Sequence, residues 1–117
     1  MPRSALDSAE EKMMQEAAAL NSEVALLPEF MHWNERRKVV IVPAVLTQKR
    51  QQATCVVSSE VVGTLERLDT PSRAVCLAAI HRHYNRIVAA AALRFERDGL
   101  DPGAELRITV ADVAATE

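Results

Sequence analysis

The 117-residue sequence predicts an α+β fold: a small, mainly antiparallel sheet packed on a long helix. Three patterns carry that prediction. Val39, Val40, Ile41 and Val42 are four consecutive β-branched residues, which suit a pleated, buried surface. Residues 70–99 hold apolar side chains at helical spacing between a capping residue and a glycine. Residues 104–110 alternate apolar and polar side chains, the period of a strand with one buried face.

In chain order, residues 4–27 read as an extra amphipathic helix. Ser8 and Glu11 have capping-box spacing, and Ala9, Met13, Ala17, Leu20, Val24 and Leu27 share one face. Pro28 ends it, and Asn21 and Ser22 offer an earlier stop. Residues 29–37 read as a short extended segment entering a tight turn. Residues 38–46 and 53–57 are the arms of a hairpin, with a polar loop over 47–52. Pro43 lacks a ladder donor, so it belongs at an edge or a bulge. Ser58 caps a short helix whose apolar side is Val61, Val62, Leu65 and Leu68. Gly63 weakens that helix by about 1 kcal/mol relative to Ala.

Thr70 is the expected cap of the long helix, with Pro71 at its first position and Gly99 at its stop. One unbroken helix there is about 28 residues, or about 42 Å. Leu77, Ile80, Tyr84, Ile87, Val88, Ala91 and Phe95 form its core stripe. In the last strand Leu106, Ile108 and Val110 point in, while Glu105, Arg107 and Thr109 point out. The hairpin and this C-terminal strand make the sheet. The organisation is an appendage over 1–28, one domain over 29–113 and a tail over 114–117, with residues 111–117 frayed.

Composition limits the function. Hydrophobic residues are 49% of the chain, enough for a core, whereas aromatics are 3%, too few for a base-stacking platform. The formal net charge of −2 gives no global attraction to nucleic acid or anionic lipid. Cys55 and Cys76 have no zinc or redox spacing and read as buried thiols in a reducing compartment. The N-terminus lacks a secretory core region, and no apolar run approaches the ~20 residues that span a bilayer. A cytoplasmic protein without membrane contact is expected.

The candidate sites concentrate on the long helix. His81 and His83 project about 200° apart, so they cannot share a metal unless folding recruits Cys55, Cys76 or His32. His81 and Asn85 share a face about one turn after Cys76, but a thiol nucleophile needs an imidazole within hydrogen-bond reach. Arg82 and Arg86, with Arg73, Arg94 and Arg97 on the same helix, and Arg36, Arg37, Lys38, Lys49 and Arg50 at loop ends, could build a basic surface. The plainer reading is a solvated face balanced by Glu60, Glu66, Glu96 and Asp98. Gly63, Gly99 and Gly103 form no phosphate loop, and no catalytic constellation, cofactor motif or metal set is read.

From Trp33 to Val113 the chain resembles a family of short bacterial proteins known as domain of unknown function 1488. The matching features are Trp33 before a charged turn, Val42–Pro43–Ala44 in the first arm, and Cys55 to Glu60 at the second arm and helix start. The His83 helix with its Ala-rich second half and the run Leu106 to Asp112 complete the likeness. The resemblance implies a single α+β domain and carries over no activity or functional residue. The N-terminal segment and the longer hairpin loop depart from the family pattern.

The expectation is a small non-enzymatic bacterial protein that binds another protein, as an inhibitor or adaptor of a larger complex, and forms a homodimer. Its candidate partner-binding residues are Met13, Leu20, Val24, Leu27, Arg82 and Arg86. The alternative is nucleic-acid binding through Arg36, Arg37, Lys49, Arg50, Arg82 and Arg86. A thiol or metal enzyme is a third reading.

Overall fold

A computed structural model describes residues 24–48 and 50–116. Strands β1 (Val24–Leu26), β2 (His32–Asn34), β3 (Val39–Leu46), β4 (Gln51–Ser58) and β5 (Glu105–Ile108) form one sheet in the order β1-β3-β4-β5, with β2 also pairing β3. Every pairing is antiparallel except β4–β5. Helices α1 (Ser59–Glu66), α2 (Arg73–Arg82), α3 (Tyr84–Asp98) and α4 (Val110–Ala114) complete the described part, with a 3-10 turn at Pro28–Phe30. The expected α+β class and mainly antiparallel sheet are both present.

The hairpin is tighter than its polar loop suggested, because Gln51 and Gln52 already pair with Leu46 and Val45. The period of two sorts the strands. Val24 and Leu26, then Val40, Val42, Ala44 and Leu46, then Cys55 and Val57, then Leu106 and Ile108 share the core with the helices. We call this the inner face. Ala25, Leu27 and Val45 form a second cluster on the outer face. Buried apolar residues Val61, Val62, Ile80, Ile87, Ala91 and Val113 bring all four helices onto the inner face.

Four expectations are corrected. The helix drawn to Leu27 does not reach it: Val24, Ala25 and Leu26 pair with Leu46, Val45 and Ala44 as a strand. Three apolar residues beside an open β3 edge gain ladder bonds and burial on both faces, which outweighs helical periodicity. Residues 1–23 of that expected helix, with Ala9, Met13, Ala17 and Leu20, lie outside the described residues.

The long helix is two helices. Ser72, not Thr70, caps the first and accepts the Val75 N–H at 3.2 Å. His83, with φ −109° and ψ 26°, breaks the run. Its N–H still reaches the Ala79 carbonyl and its carbonyl still accepts from Ile87, each at 2.9 Å, so few bonds are lost. No Pro or Gly marks the break; α2 packs on α1 and β2, whereas α3 packs on β1, β5 and α4.

The last strand stops at Ile108, and the supposed frayed tail is α4. Thr109 accepts the Asp112 N–H at 3.2 Å, and Asp112 accepts the Thr109 N–H at 2.9 Å. This capping box turns Val110 out of the strand pattern and buries Val113. Finally, Leu68 is 48% exposed rather than part of the apolar side of α1. Arg67 adopts a left-handed conformation that ends α1 and swings the chain outward.

Candidate functional site

A groove of about 610 Å³ opens where β2, the β2–β3 turn and the starts of α1 and α2 meet. Register places Trp33 opposite Val40, so its ring lies on the inner face and packs against the core. Asn34 Oδ1 accepts the Arg37 N–H at 3.0 Å and closes the turn. Lys38 has a positive φ of 56°, and its carbonyl accepts the Ser59 N–H at 3.0 Å, which ties the turn to the start of α1. Ser58 caps α1 by accepting from the Val61 N–H at 3.2 Å.

Glu35 is the electrostatic hub at the rim. Lys38 Nζ and Trp33 Nε1 both donate to its carboxylate. Those hydrogen bonds, the Lys38 one foremost, with the charges of Lys38 and Arg73, hold the Glu35 carboxyl below its ordinary value. The groove therefore carries two cations, Lys38 and Arg73, and three carboxylates, Glu35, Glu60 and Asp69, around one aromatic ring. Such a lining offers paired, mixed-sign contacts and an apolar anchor; a phosphate chain would meet three anions.

The sequence candidates are distributed elsewhere. Val24 and Leu27 are buried in the domain's own sheet, so they offer no surface to a partner. Met13, Leu20 and Lys49 lie outside the described residues. Arg82 Nη1 donates to both oxygens of Glu66, at 2.7 and 2.8 Å. Arg86 donates to Thr116 Oγ1 at 3.1 Å and the Val113 carbonyl at 3.4 Å, fastening the end of the chain. Arg37 pairs with Glu105 at 3.0 Å, and Arg97 with Asp112 at 2.9 Å. Arg94 bridges Asp98 and Asp101, each at 2.9 Å. Arg36 and Arg50 are exposed.

The histidines and cysteines are separated as well. His81 is exposed, whereas Cys76 is fully buried and its thiol donates to the Pro71 carbonyl at 3.9 Å. His83 turns its Nε2 to within 3.5 Å of Glu66 at the helix break. Burial pushes the Cys55 thiol up to about 12 and raises that of Cys76. Among the described residues no group of three or more His, Cys, Asp or Glu could hold a metal ion, and no helix is long and apolar enough to cross a membrane.

Residues 27–108 match the family model described as a protein of unknown function (DUF1488). The chain belongs to that family. The DUF1488 match spans β2 to β5 with the three helices between them, and the groove lies wholly inside it. A crystal structure of a DUF1488 protein of unknown function from Shewanella loihica PV-4, at 1.60 Å resolution, is similar to this chain with a TM-score of 0.62. The two share 14% identity, and the likeness covers 75% of this chain and 93% of that one. It therefore speaks to the fold. Among curated proteins none matches.

Lys38, Asp69 and Arg73 form no local pattern in the sequence, because 35 positions separate the first from the last. The available signal was Trp33, the single tryptophan of an aromatic-poor chain, set directly before a charged turn.

Proposed function

We propose that this DUF1488 chain is a non-enzymatic binding protein whose partner is another protein, seated in the groove beside Trp33. The observation that carries this reading is that groove: one ring backed by the core, with cations and carboxylates interleaved around it. A buried aromatic anchor within a polar rim is how protein contacts concentrate their binding energy. The nucleic-acid alternative is less well supported, because Arg37 and Arg82 are engaged by carboxylates and Arg86 is engaged at the chain end. A reducing cytoplasm suits Cys55 and Cys76 as buried free thiols.

The test is in-cell cross-linking and capture with the full chain, comparing wild type with Trp33→Ala and with the Lys38→Glu, Arg73→Glu double variant. The expected result is one specific protein retained by wild type and lost by both variants, at unchanged circular dichroism. Equal retention by all three overturns the site. Titration with DNA and RNA, followed by Trp33 fluorescence across salt concentrations, decides the alternative: strong salt-dependent binding would favour it.

A further inference from the structure

We infer that the groove beside Trp33 takes an extended segment of another protein, which adds to β2 as one antiparallel strand. That segment presents a basic residue opposite Trp33 and an acidic residue two positions away. The inference rests on the reading of the groove as a protein-binding site, and it names the mode and the chemistry of the occupant.

The main chain carries the first observation. Leu27 donates to the Pro43 carbonyl, so Pro43 turns its main chain toward the β1–β2 side of β3. Main-chain groups alternate along a strand, so Ile41 and Val39 face the same way, and His32 and Asn34 are the residues bonded to them. Trp33, between those two, turns its N–H and carbonyl away from β3, to the edge of the sheet. The outward groups of the other edge strands are occupied. The Leu26 carbonyl accepts from the Tyr84 hydroxyl at 3.3 Å. Glu105 exchanges hydrogen bonds with Asp101 at 2.8 and 3.3 Å, and the Arg107 N–H reaches the Asp101 carboxylate at 3.4 Å. Among the described residues the Trp33 main chain has no such partner.

The groove is the second observation. Trp33 and Glu35 line it from the edge strand, and Pro71, Ser72 and Arg73 line it from the start of α2. A groove between an edge strand and a helix takes a peptide as an added strand, with main-chain bonds for affinity and alternate side chains for specificity. An antiparallel residue opposite Trp33 closes both of its bonds at once. A three-residue edge is too short to template further sheet growth.

Charge complementarity names the side chains. The residue opposite Trp33 lays its side chain on the same face as the indole. Lys38 and Glu35 are paired with each other, which leaves Glu60 and Asp69 against Arg73 in the lining. A basic side chain opposite Trp33 meets the indole and the two carboxylates. The next side chain on that face is two residues, about 7 Å, along the strand, and an acid there meets Arg73.

The test titrates the full chain with the blocked hexapeptide Thr-Val-Arg-Thr-Glu-Val and follows the Trp33 amide by NMR. On binding, that amide should shift and become protected from exchange. N-methylation of the peptide's arginine should weaken binding about tenfold, whereas N-methylation of the threonine after it should change little. Exchanging the peptide's arginine and glutamate should weaken binding. Glu60→Gln with Asp69→Asn should weaken it about fivefold. No binding at millimolar peptide, binding without protection of the Trp33 amide, or equal effects of the two methyl groups would each overturn the proposal. Protection in the chain alone that rises with protein concentration would overturn it in favour of a second copy. A cellular partner that depends on Trp33 yet leaves its amide exchanging freely would overturn strand addition and leave the groove reading standing. Peptide protection of the amide with no groove-dependent partner in cells would support strand addition and count against that reading.

Discussion

Leu27 donates its N–H to the carbonyl of Pro43 at 2.8 Å, and Pro43 has no N–H to return. The Leu27 carbonyl instead accepts from Phe30 at 3.1 Å. This one-sided pair ends β1 and starts the 3-10 turn, with Pro28 at its first position. Pro43 thus occupies a central strand at the one place where its neighbour stops. On its other side Thr54 turns its N–H away, to the Ala104 carbonyl at 2.9 Å, and asks nothing of Pro43. Pro43→Ala should leave the fold intact and shift stability by no more than about 1 kcal/mol. The new amide at position 43 should be protected in hydrogen exchange, since it faces the Leu27 carbonyl. Fast exchange there would contradict the register.

Gly63 is set by contact rather than by helix propensity. The chain reverses at Arg67, with φ 59°, and Leu68 donates back to the Gly63 carbonyl at 2.9 Å. A Cβ at position 63 would lie 2.6 Å from the Leu68 carbonyl oxygen. Propensity alone predicts that Gly63→Ala stabilises by about 1 kcal/mol. The contact reverses the sign, and urea unfolding should show a loss of about 1–3 kcal/mol.

Asp112 is 1% exposed and supplies the acid dependence of the C-terminal helix. Burial works to raise its pKa, but the Thr109 hydrogen bonds and Arg97 outweigh it and hold the carboxyl below its ordinary value. A group with a lowered folded pKa stabilises fully above the unfolded value and loses that contribution as pH falls through the folded one. Asp112→Asn should therefore cost about 1–3 kcal/mol near neutrality. The urea curves of wild type and variant should converge in strong acid. A constant gap at every pH would show that charge is not the reason. Thr109→Ala removes the other half of the cap and should cost about 1 kcal/mol.

Cys55 and Cys76 should not react with a thiol reagent in the native state. Both are 0% exposed, and burial raises both thiols. Two thiols per chain should appear only on unfolding. A fast native reaction at Cys76 would reopen the thiol chemistry that its spacing to His81 suggested.

Much of the sheet was legible because its signals are local. Val39 to Val42 and the alternation of Leu106 and Ile108 each carry their own period, and Ser58 announces α1 by residue type. The site was not legible. Trp33, Lys38 and Arg73 meet because β2 returns against β3 and α2 starts beside that turn, and no local pattern encodes such a meeting. The arginines of the long helical run looked like a site for the opposite reason. A sequence lists cations without their partners, and Glu66, Asp101 and Asp112 reach them only after folding.

By itself the sequence determined the fold class, the hairpin, the caps at Ser58 and Gly99 and the family resemblance, all of which follow from periodicity and residue type. Tertiary structure decided what competition settles. Val24 to Leu26 join the sheet because an open β3 edge offers more burial and hydrogen bonding than one more turn of helix. His83 breaks the long run, and its two halves cover different surfaces. Asp112 and Val113 fold back because a capping box and a vacant core position reward them together. In each case the local preference was modest, about 1 kcal/mol or less per residue, and burial against the rest of the fold exceeded it.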